Sequence, residues 1–430
     1  MKTCMYQPEL ETLPREKLVE CQMGRLQATL RHIQASNPRY VQHLNGLGAA
    51  DVHSLDDLRY FPFLTKEDLR QSYPLGLACA PQTDFVRMHM SSGTTGTPII
   101  CPHTADDVRQ WSEIVARCLA AAGVGRHDVL QITPSFGLFN GGFGFHYGAS
   151  ALGTMIIPIG AGRSQLQLQF MRDLGTTAIA AIASYALRLI EVALAEGFDF
   201  RRDSRLRVGI YGAEIWSDEL RQRIEDVMGI ETFDIIGMTE SGGVGMGIDC
   251  AEHAGVHVWE DHYLVEFVDP NGDEPVKEGE WGEMVITTLT REGLPLIRFR
   301  TRDISRVISR ELCACGRTGL RVERIACRND DMIKVKGVNF YPKQVESILL
   351  RHPEVANDYL IEIDRVEGAD YLKLNVETEY PENEALGRRL AEELYSLIGL
   401  HAEIALLAVG HLPRPAGKAV RVKDSRLDVH

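Results

Sequence analysis

Between residues 85 and 240, short apolar runs alternate with stretches of helical spacing, and this alternation limits the available folds more than any other feature. Val129–Ile132, Thr154–Ile157, Ala178–Ile182, Leu206–Ile210 and Thr232–Ile236 read as strands. Strands that are apolar almost throughout and separated by helices imply parallel sheets covered by helices. In such sheets ligands sit where strands end and loops begin. Two glycine-bearing segments, Tyr211-Gly212-Ala213-Glu214 and Gly237-Met238-Thr239-Glu240, directly follow strands of this series.

The flanks read differently. Residues 9–35 carry apolar residues at helical spacing and predict one amphipathic helix, and Thr65 with Asp68 three residues later has the form of a capping box. Between 257 and 309 the pattern changes to strands and turns, with Asp269-Pro270-Asn271-Gly272-Asp273 as a hairpin and Trp281–Ile286 as the returning strand. After Asp330-Asp331 come a strand, a helix over Pro342–Leu350, strands near 357–363 and 371–377, and a helix over 383–397. The expected fold is therefore an α/β large N-terminal domain, residues 1–329, of parallel sheets covered by helices with a small β-subdomain. It is followed by a small α+β C-terminal lid, residues 330–430. A chain of 430 residues, 44% of them hydrophobic, is long enough for such a division.

With 46 basic and 60 acidic residues the formal net charge is −14, which argues against nucleic acid or an anionic membrane as partner. No run approaches the roughly 20 apolar residues of a membrane span, and the N-terminus lacks a signal pattern. A cytoplasmic location is expected, where the nine cysteines would be free thiols or metal ligands.

Residues 91–98 read Ser-Ser-Gly-Thr-Thr-Gly-Thr-Pro. Glycines allow a close backbone approach, and hydroxyls with loop amides supply convergent donors for phosphate oxygens. The Walker loop is excluded because Thr97-Pro98 stand where it needs Lys-[Ser/Thr]. A hairpin tip of the same composition is the alternative. Downstream, the segments at 211 and 237 are followed by Arg298-Phe299-Arg300-Thr301-Arg302-Asp303, by Arg328 to Gly337, and by Gly417-Lys418. In that order and spacing they resemble the adenylate-forming acyl-CoA synthetase superfamily, and specifically its phenylacetate-CoA ligase family, over nearly the whole chain.

The resemblance implies an acyl-CoA synthetase-like fold and a two-step reaction, in which carboxylate and ATP give acyl-AMP and pyrophosphate and the thiol of CoA then displaces AMP. It places Ser91, Ser92, Gly93, Thr94, Thr95 and Gly96 around the phosphates. Gly212, Ala213, Glu214, Asp234, Ile236, Gly237 and Met238 would lie along the adenine, with Arg324 and Arg328 also on the nucleotide. Glu240 would bind Mg²⁺ and Thr239 the α-phosphate, although Thr239-Glu240 alone also fits a helix start. Asp303 would hold the ribose, or pair with a neighbouring arginine. Asp330 would be the hinge of the lid, and Lys418 the lysine that stabilises charge during adenylation. Cys327 stands where the family usually has glycine before the arginine.

Ser135-Phe136-Gly137-Leu138-Phe139-Asn140-Gly141-Gly142-Phe143-Gly144-Phe145-His146-Tyr147-Gly148 interleaves rings with glycines and is similar to the family's aryl-site segment. Phe136, Asn140, Gly141 and Phe145 are the expected acyl-binding residues, and Asn140 points to a ring bearing a hydroxyl or amino group. Cys313 and Cys315 with Cys250 and His257 make a tetrahedral set suited to structural zinc, with His253 as the competing fourth ligand. The partners implied are an aryl carboxylic acid, ATP and CoA, with a homodimer common among relatives. Transfer to a carrier-protein thiol or an amine, and a non-catalytic nucleotide or acyl-AMP sensor, are the competing functions.

Overall fold

The computed structural model describes residues 4–91, 97–138, 140–331, 333–336, 338–366, 369–413 and 421–426. Its centre is a nine-stranded sheet. Five strands in the spatial order Met155–Ile157, Val129–Ile132, Ala178–Ala181, Val208–Gly212 and Glu231–Met238 run parallel. Successive side chains of these strands point to opposite faces. Ala178 and Ala180 enter one apolar core with Trp111, Val115 and Phe145, while Ile179 and Ala181 enter a second with Leu168, Leu187, Trp216 and Ile224. Both faces of the parallel half are thus buried, which is why its strands stand out as apolar runs.

The sheet then turns antiparallel through Gly243–Asp249, Val256–Val258, Arg321–Val322 and Val307–Ser309. The expected β-subdomain over 257–309 is therefore divided. Its outer strands extend the large sheet, whereas Tyr263–Val268, Gly282–Thr288, Phe299–Ser305 and Cys327–Arg328 form a separate four-stranded antiparallel sheet. The single helix expected over 9–35 is two, Pro8–Glu11 and Arg15–Ser36. Pro14 lacks the N–H that a continuous helix would need and caps the second one instead. The capping box at Thr65 forms as expected, with the Thr65 N–H donating to Asp68 Oδ2 over 2.8 Å.

From Ile333 onward a third core, built on Phe340, Val345, Ile361, Leu374 and Leu390, belongs to the hairpin Ile333–Val335/Val338–Phe340, the sheet of Glu403–Ala408, Ala369–Thr378, Val355–Val366 and Val422–Asp424, and helices Pro342–Leu349 and Glu384–Ile398. Among the described residues, polar and apolar contacts join this unit to the rest. Asn357 Nδ2 donates to Glu191 Oε1 over 2.7 Å, Arg351 lies 3.8 Å from Glu219, and Leu350 packs on the second core. Among the described residues no helix is long and apolar enough to cross a membrane.

Candidate active site

The strand ends converge as the alternation implied. Gly212 ends its strand beside Ile235 of the next, and a Cβ on Gly212 would stand 2.3 Å from the Ile235 carbonyl oxygen, so only glycine allows the two backbones to lie this close. Ala213 then takes a left-handed φ of 65°, and the Glu214 carboxylate accepts from Ser184 N–H and Oγ at 3.1 and 2.9 Å. Ser184 lies in the first turn of helix Ala183–Ala195, where a carboxylate also meets the positive end of the helix dipole. Asp234, on the neighbouring strand, is buried; its N–H donates to Asp249 Oδ1 and its Oδ2 accepts from Arg324 Nε, both over 2.8 Å. Burial pushes the Asp234 carboxyl above the usual range, with Arg324 opposing that shift and Asp249 adding to it. Arg324 also donates to Asp218 and to the Trp216 carbonyl and stacks 4.8 Å over the Trp216 ring, so one guanidinium joins both sides of this groove.

Beyond Ile236 the ladder shifts at Gly237, where a Cβ would meet the Gly243 carbonyl oxygen at 2.5 Å. The turn that follows carries Thr239 and Glu240. It closes through Gly242 N–H to Thr239 O at 3.2 Å and Ser241 Oγ to Met238 O at 3.0 Å, and Glu240 is buried within it. Asp303 pairs across the small sheet with Arg328, whose Nε lies 4.0 Å from Asp303 Oδ1. The arginines beside Asp303 have partners elsewhere: Arg298 on Glu266, Arg300 on Glu283 and Asp273, and Arg302 on Glu283. Asp330 lies in the 3₁₀ turn Asn329–Asp331. Ser92, Gly93, Thr94, Thr95, Gly96 and Lys418 lie outside the described residues. On either side of residues 92–96, Ser91 N–H donates to Ile99 O and Met90 N–H to Leu138 O, each over 3.1 Å, so the strand end at Met90 lies against the 135–148 run.

In that run Phe136 is half-buried and meets Phe143 edge-on at 5.4 Å, with Gly160 alongside. Asn140 precedes helix Gly141–Leu152 without capping it, is buried, and leaves Nδ2 with no hydrogen-bond partner. Phe145 is packed in the main core. The rings beside Phe136 are Phe143 and His146, at 5.4 and 6.4 Å; Tyr147, four residues on from Phe143 on one helix face, stacks on Phe143, with Arg87 4.4 Å above the Phe143 ring. Sequence reasoning had Phe143 and Tyr147 within the run without assigning either to the ligand, and Arg87 lay outside it; the i,i+4 pair was the available signal.

Cys250, His257, Cys313 and Cys315 come together from three places, and their ligand atoms all lie within 4.8 Å of one another. Cys250 follows one strand of the large sheet, His257 sits mid-strand in the next, and the two remaining cysteines flank Ala314 in the loop before Arg321. All four are buried, Sγ of Cys250 and Cys313 are 4.0 Å apart, and His257 Nε2 is 3.4 Å from Cys315 Sγ. Hydrogen bonding from Cys250, and then from His257, holds the Cys315 thiol far below its usual value. His253 turns away to Asp249 and Glu231, at 3.4 and 3.3 Å. Three sulfurs and one imidazole at these spacings fit a closed tetrahedral ion.

The AMP-binding enzyme family model matches residues 42–290, and the model of the AMP-binding enzyme C-terminal domain matches residues 337–426. The phenylacetate-coenzyme A ligase of Thermus thermophilus is 38% identical over 98% of this chain and 100% of its own length. The structure of 2-hydroxyisobutyryl-CoA ligase in the postadenylation state, in complex with R3-HIB-AMP, superposes with a TM-score of 0.90 at 26% identity, over 98% of this chain and 92% of that one. The same ligase with 2-HIB-AMP and CoA in the thioesterification state gives 0.71 at 27% identity, over 97% and 91%.

Proposed function

Because the chain belongs to the phenylacetate-coenzyme A ligase family of AMP-binding enzymes, we propose that the acid it activates is an aryl acid bearing a polar ring substituent. Activation with ATP and thioester formation with CoA are common to the family. The carboxylate oxygen attacks the α-phosphorus and pyrophosphate leaves; the CoA sulfur then attacks the acyl carbon, loses its proton and expels AMP. No protein nucleophile takes part, so the residues act by position and charge. The observation that carries the substrate reading is the orphaned Nδ2 of buried Asn140, at the start of the helix that carries Phe143 of the Phe136–Phe143 ring pair. A buried donor without a partner is costly, and a ring hydroxyl or similar acceptor would satisfy it.

In this reading Gly212, Ala213, Asp234 and Ile236 border the adenine, Asp303 takes the ribose hydroxyls, and Thr239 and Glu240 face the phosphates. Glu240 would hold Mg²⁺, which when bound neutralises phosphate charge. The four buried thiol and imidazole ligands would hold structural zinc, with His257 rather than His253 as the fourth. The chain divides at residues 329 and 330, and Lys418 arrives on the lid for adenylation. The higher superposition on the postadenylation structure than on the thioesterification one supports reading the lid as lying on the adenylation side. The test is a pyrophosphate-release panel over plain and substituted aryl acids and fatty acids, each with and without CoA. Preference for aryl acids whose ring carries a hydroxyl or another acceptor, with thioester formed only when CoA is added, supports the reading. Preference for fatty acids removes it, and turnover with a carrier protein but not CoA reassigns the acceptor.

A further inference from the structure

The turn carrying Glu240 is held from behind by a residue that none of the motifs includes. His103 lies on strand Ile100–Thr104, which together with Phe85–Met90 forms the hairpin that flanks residues 91–99. Its imidazole is fully buried, tilted on Trp111 and edge-on to His89, with Nδ1 3.1 Å from the Cys101 carbonyl oxygen and Nε2 3.0 Å from the carbonyl oxygen of Gly242. Gly242 closes the Thr239–Gly242 turn, so His103 is a direct link from the hairpin to that turn.

A neutral imidazole has one N–H, and it cannot donate to both carbonyls. The doubly protonated ring is disfavoured by burial and by the neighbouring Arg291 guanidinium, with Asp107 pulling the other way, and its pKa falls to about 3. One of the two contacts is therefore the hydrogen bond. The Cys101 carbonyl belongs to the histidine's own strand, two residues back, whereas Gly242 lies 139 residues away, on the segment that has to be placed. Arg291 stands on the same side: it donates to Pro102 O over 2.9 Å, and a Cβ on Gly242 would come within 3.1 Å of its Nη1. Ser241 Oγ bonds Met238 O within the turn, and Trp111, on which His103 packs, donates from Nε1 to Val244 O over 2.9 Å.

We propose that His103 is a positioning residue for nucleotide activation: its Nε2–H donates to the Gly242 carbonyl and fixes the Thr239–Glu240 turn relative to the hairpin that flanks residues 91–99. This rests on the reading of Glu240 as the Mg²⁺ carboxylate. A metal carboxylate acts on MgATP only when its place relative to the elements around it is set, and His103 ties the turn that carries Glu240 to the hairpin of Phe85–Met90 and Ile100–Thr104.

The test compares three replacements in the full-length enzyme, because glutamine places its amide nitrogen near the position of Nε2 and asparagine near that of Nδ1. His103→Phe keeps ring packing on Trp111 and removes the donor. It is expected to raise the MgATP and free Mg²⁺ concentrations at half-maximal acid-dependent pyrophosphate release by about 10- to 100-fold, the range for groups that orient a metal ligand. The KM for the aryl acid should stay unchanged. His103→Gln should return both values to within about 3-fold of wild type, since one bond of the same reach is restored, and His103→Asn should not. Equal recovery by asparagine, or a fall in kcat with every KM unchanged, overturns the proposal. If the phenylalanine variant fails to fold, the glutamine and asparagine pair decides alone. Glu240→Gln, run in parallel, separates the two levels. An unchanged Mg²⁺ requirement there removes the role of Glu240, whereas a large shift there with none in His103→Phe removes only that of His103.

Discussion

Replacing Arg324 tests the groove between Asp234 and Trp216. The guanidinium side chain is 16% exposed and that of Asp234 9%, so their 2.8 Å contact is largely out of water. Removing one partner of such a pair typically costs about 3–5 kcal/mol, because the other charge stays buried and alone. The Asp218 contact adds little, since that carboxylate is 89% exposed. Two effects reduce the loss in Arg324→Met, which keeps much of the packing on Trp216: Asp234 can take up a proton, and Lys343 of the lid lies within electrostatic reach of it. A deficit of about 3 kcal/mol near pH 8 is expected, at the low end of that range. The sign with pH follows from burial, which already raises the Asp234 carboxyl in the folded state. Without Arg324 it rises further, so the folded variant holds its proton more tightly than the unfolded chain. That contribution is fully present below the unfolded pKa and lost as pH rises through the folded one, so the deficit shrinks on acidification. Urea unfolding followed by tryptophan fluorescence at pH 6 and pH 8 measures this. Asp234→Asn in the same chain should recover most of the loss, because the lone charge is gone. An identical deficit at both pH values, together with a double variant no more stable than the single, would refute the reasoning.

Metal analysis should find about one zinc per chain, as four ligands make one site. Cys315→Ser should lower the melting temperature before it changes turnover, and a metal-free protein with unchanged melting would remove zinc. Asn140→Ala should lower kcat/KM for hydroxylated aryl acids more than for the unsubstituted ring, by about 5- to 10-fold for one lost hydrogen bond; an equal loss on both counts against the polar substituent. Lys418→Ala should slow acyl-AMP formation by about 10²- to 10³-fold and spare thioester formation from preformed acyl-AMP. Asp330→Pro should do the reverse, and equal loss of both half-reactions in either variant contradicts the division of labour.

The parallel half of the large sheet was legible because both faces are buried: Ala178–Ala181 is apolar throughout, and Val129–Ile132 is interrupted only by the buried Gln131. The antiparallel half was not. Gly243–Asp249 has glycines at 243, 245 and 247 and reads as a loop, yet those glycines let the strand lie against Trp111 and Val115, where a Cβ would come within 2.4 and 2.9 Å at 243 and 245. The cysteine pair announced itself by spacing. Choosing between His253 and His257 needed the fold, because only His257 lies within a strand facing the thiols, while His253 is drawn off by Asp249 and Glu231. The aryl segment was legible as a composition and not as a surface. Its glycines hid the helix Gly141–Leu152, and without that helix nothing separates Phe143 from Phe145, which face opposite ways. His103 carried no motif at all, since its partner is a backbone carbonyl 139 residues away.

The route of one oxygen atom tests the two-step reaction most directly. An aryl acid labelled with ¹⁸O in both carboxylate positions is turned over with MgATP and CoA, and the products are weighed by mass spectrometry. Attack of the carboxylate on the α-phosphorus puts one labelled oxygen into AMP, leaves one in the thioester and none in pyrophosphate. Label in pyrophosphate or free phosphate, or unlabelled AMP beside a thioester, would contradict the acyl-AMP intermediate.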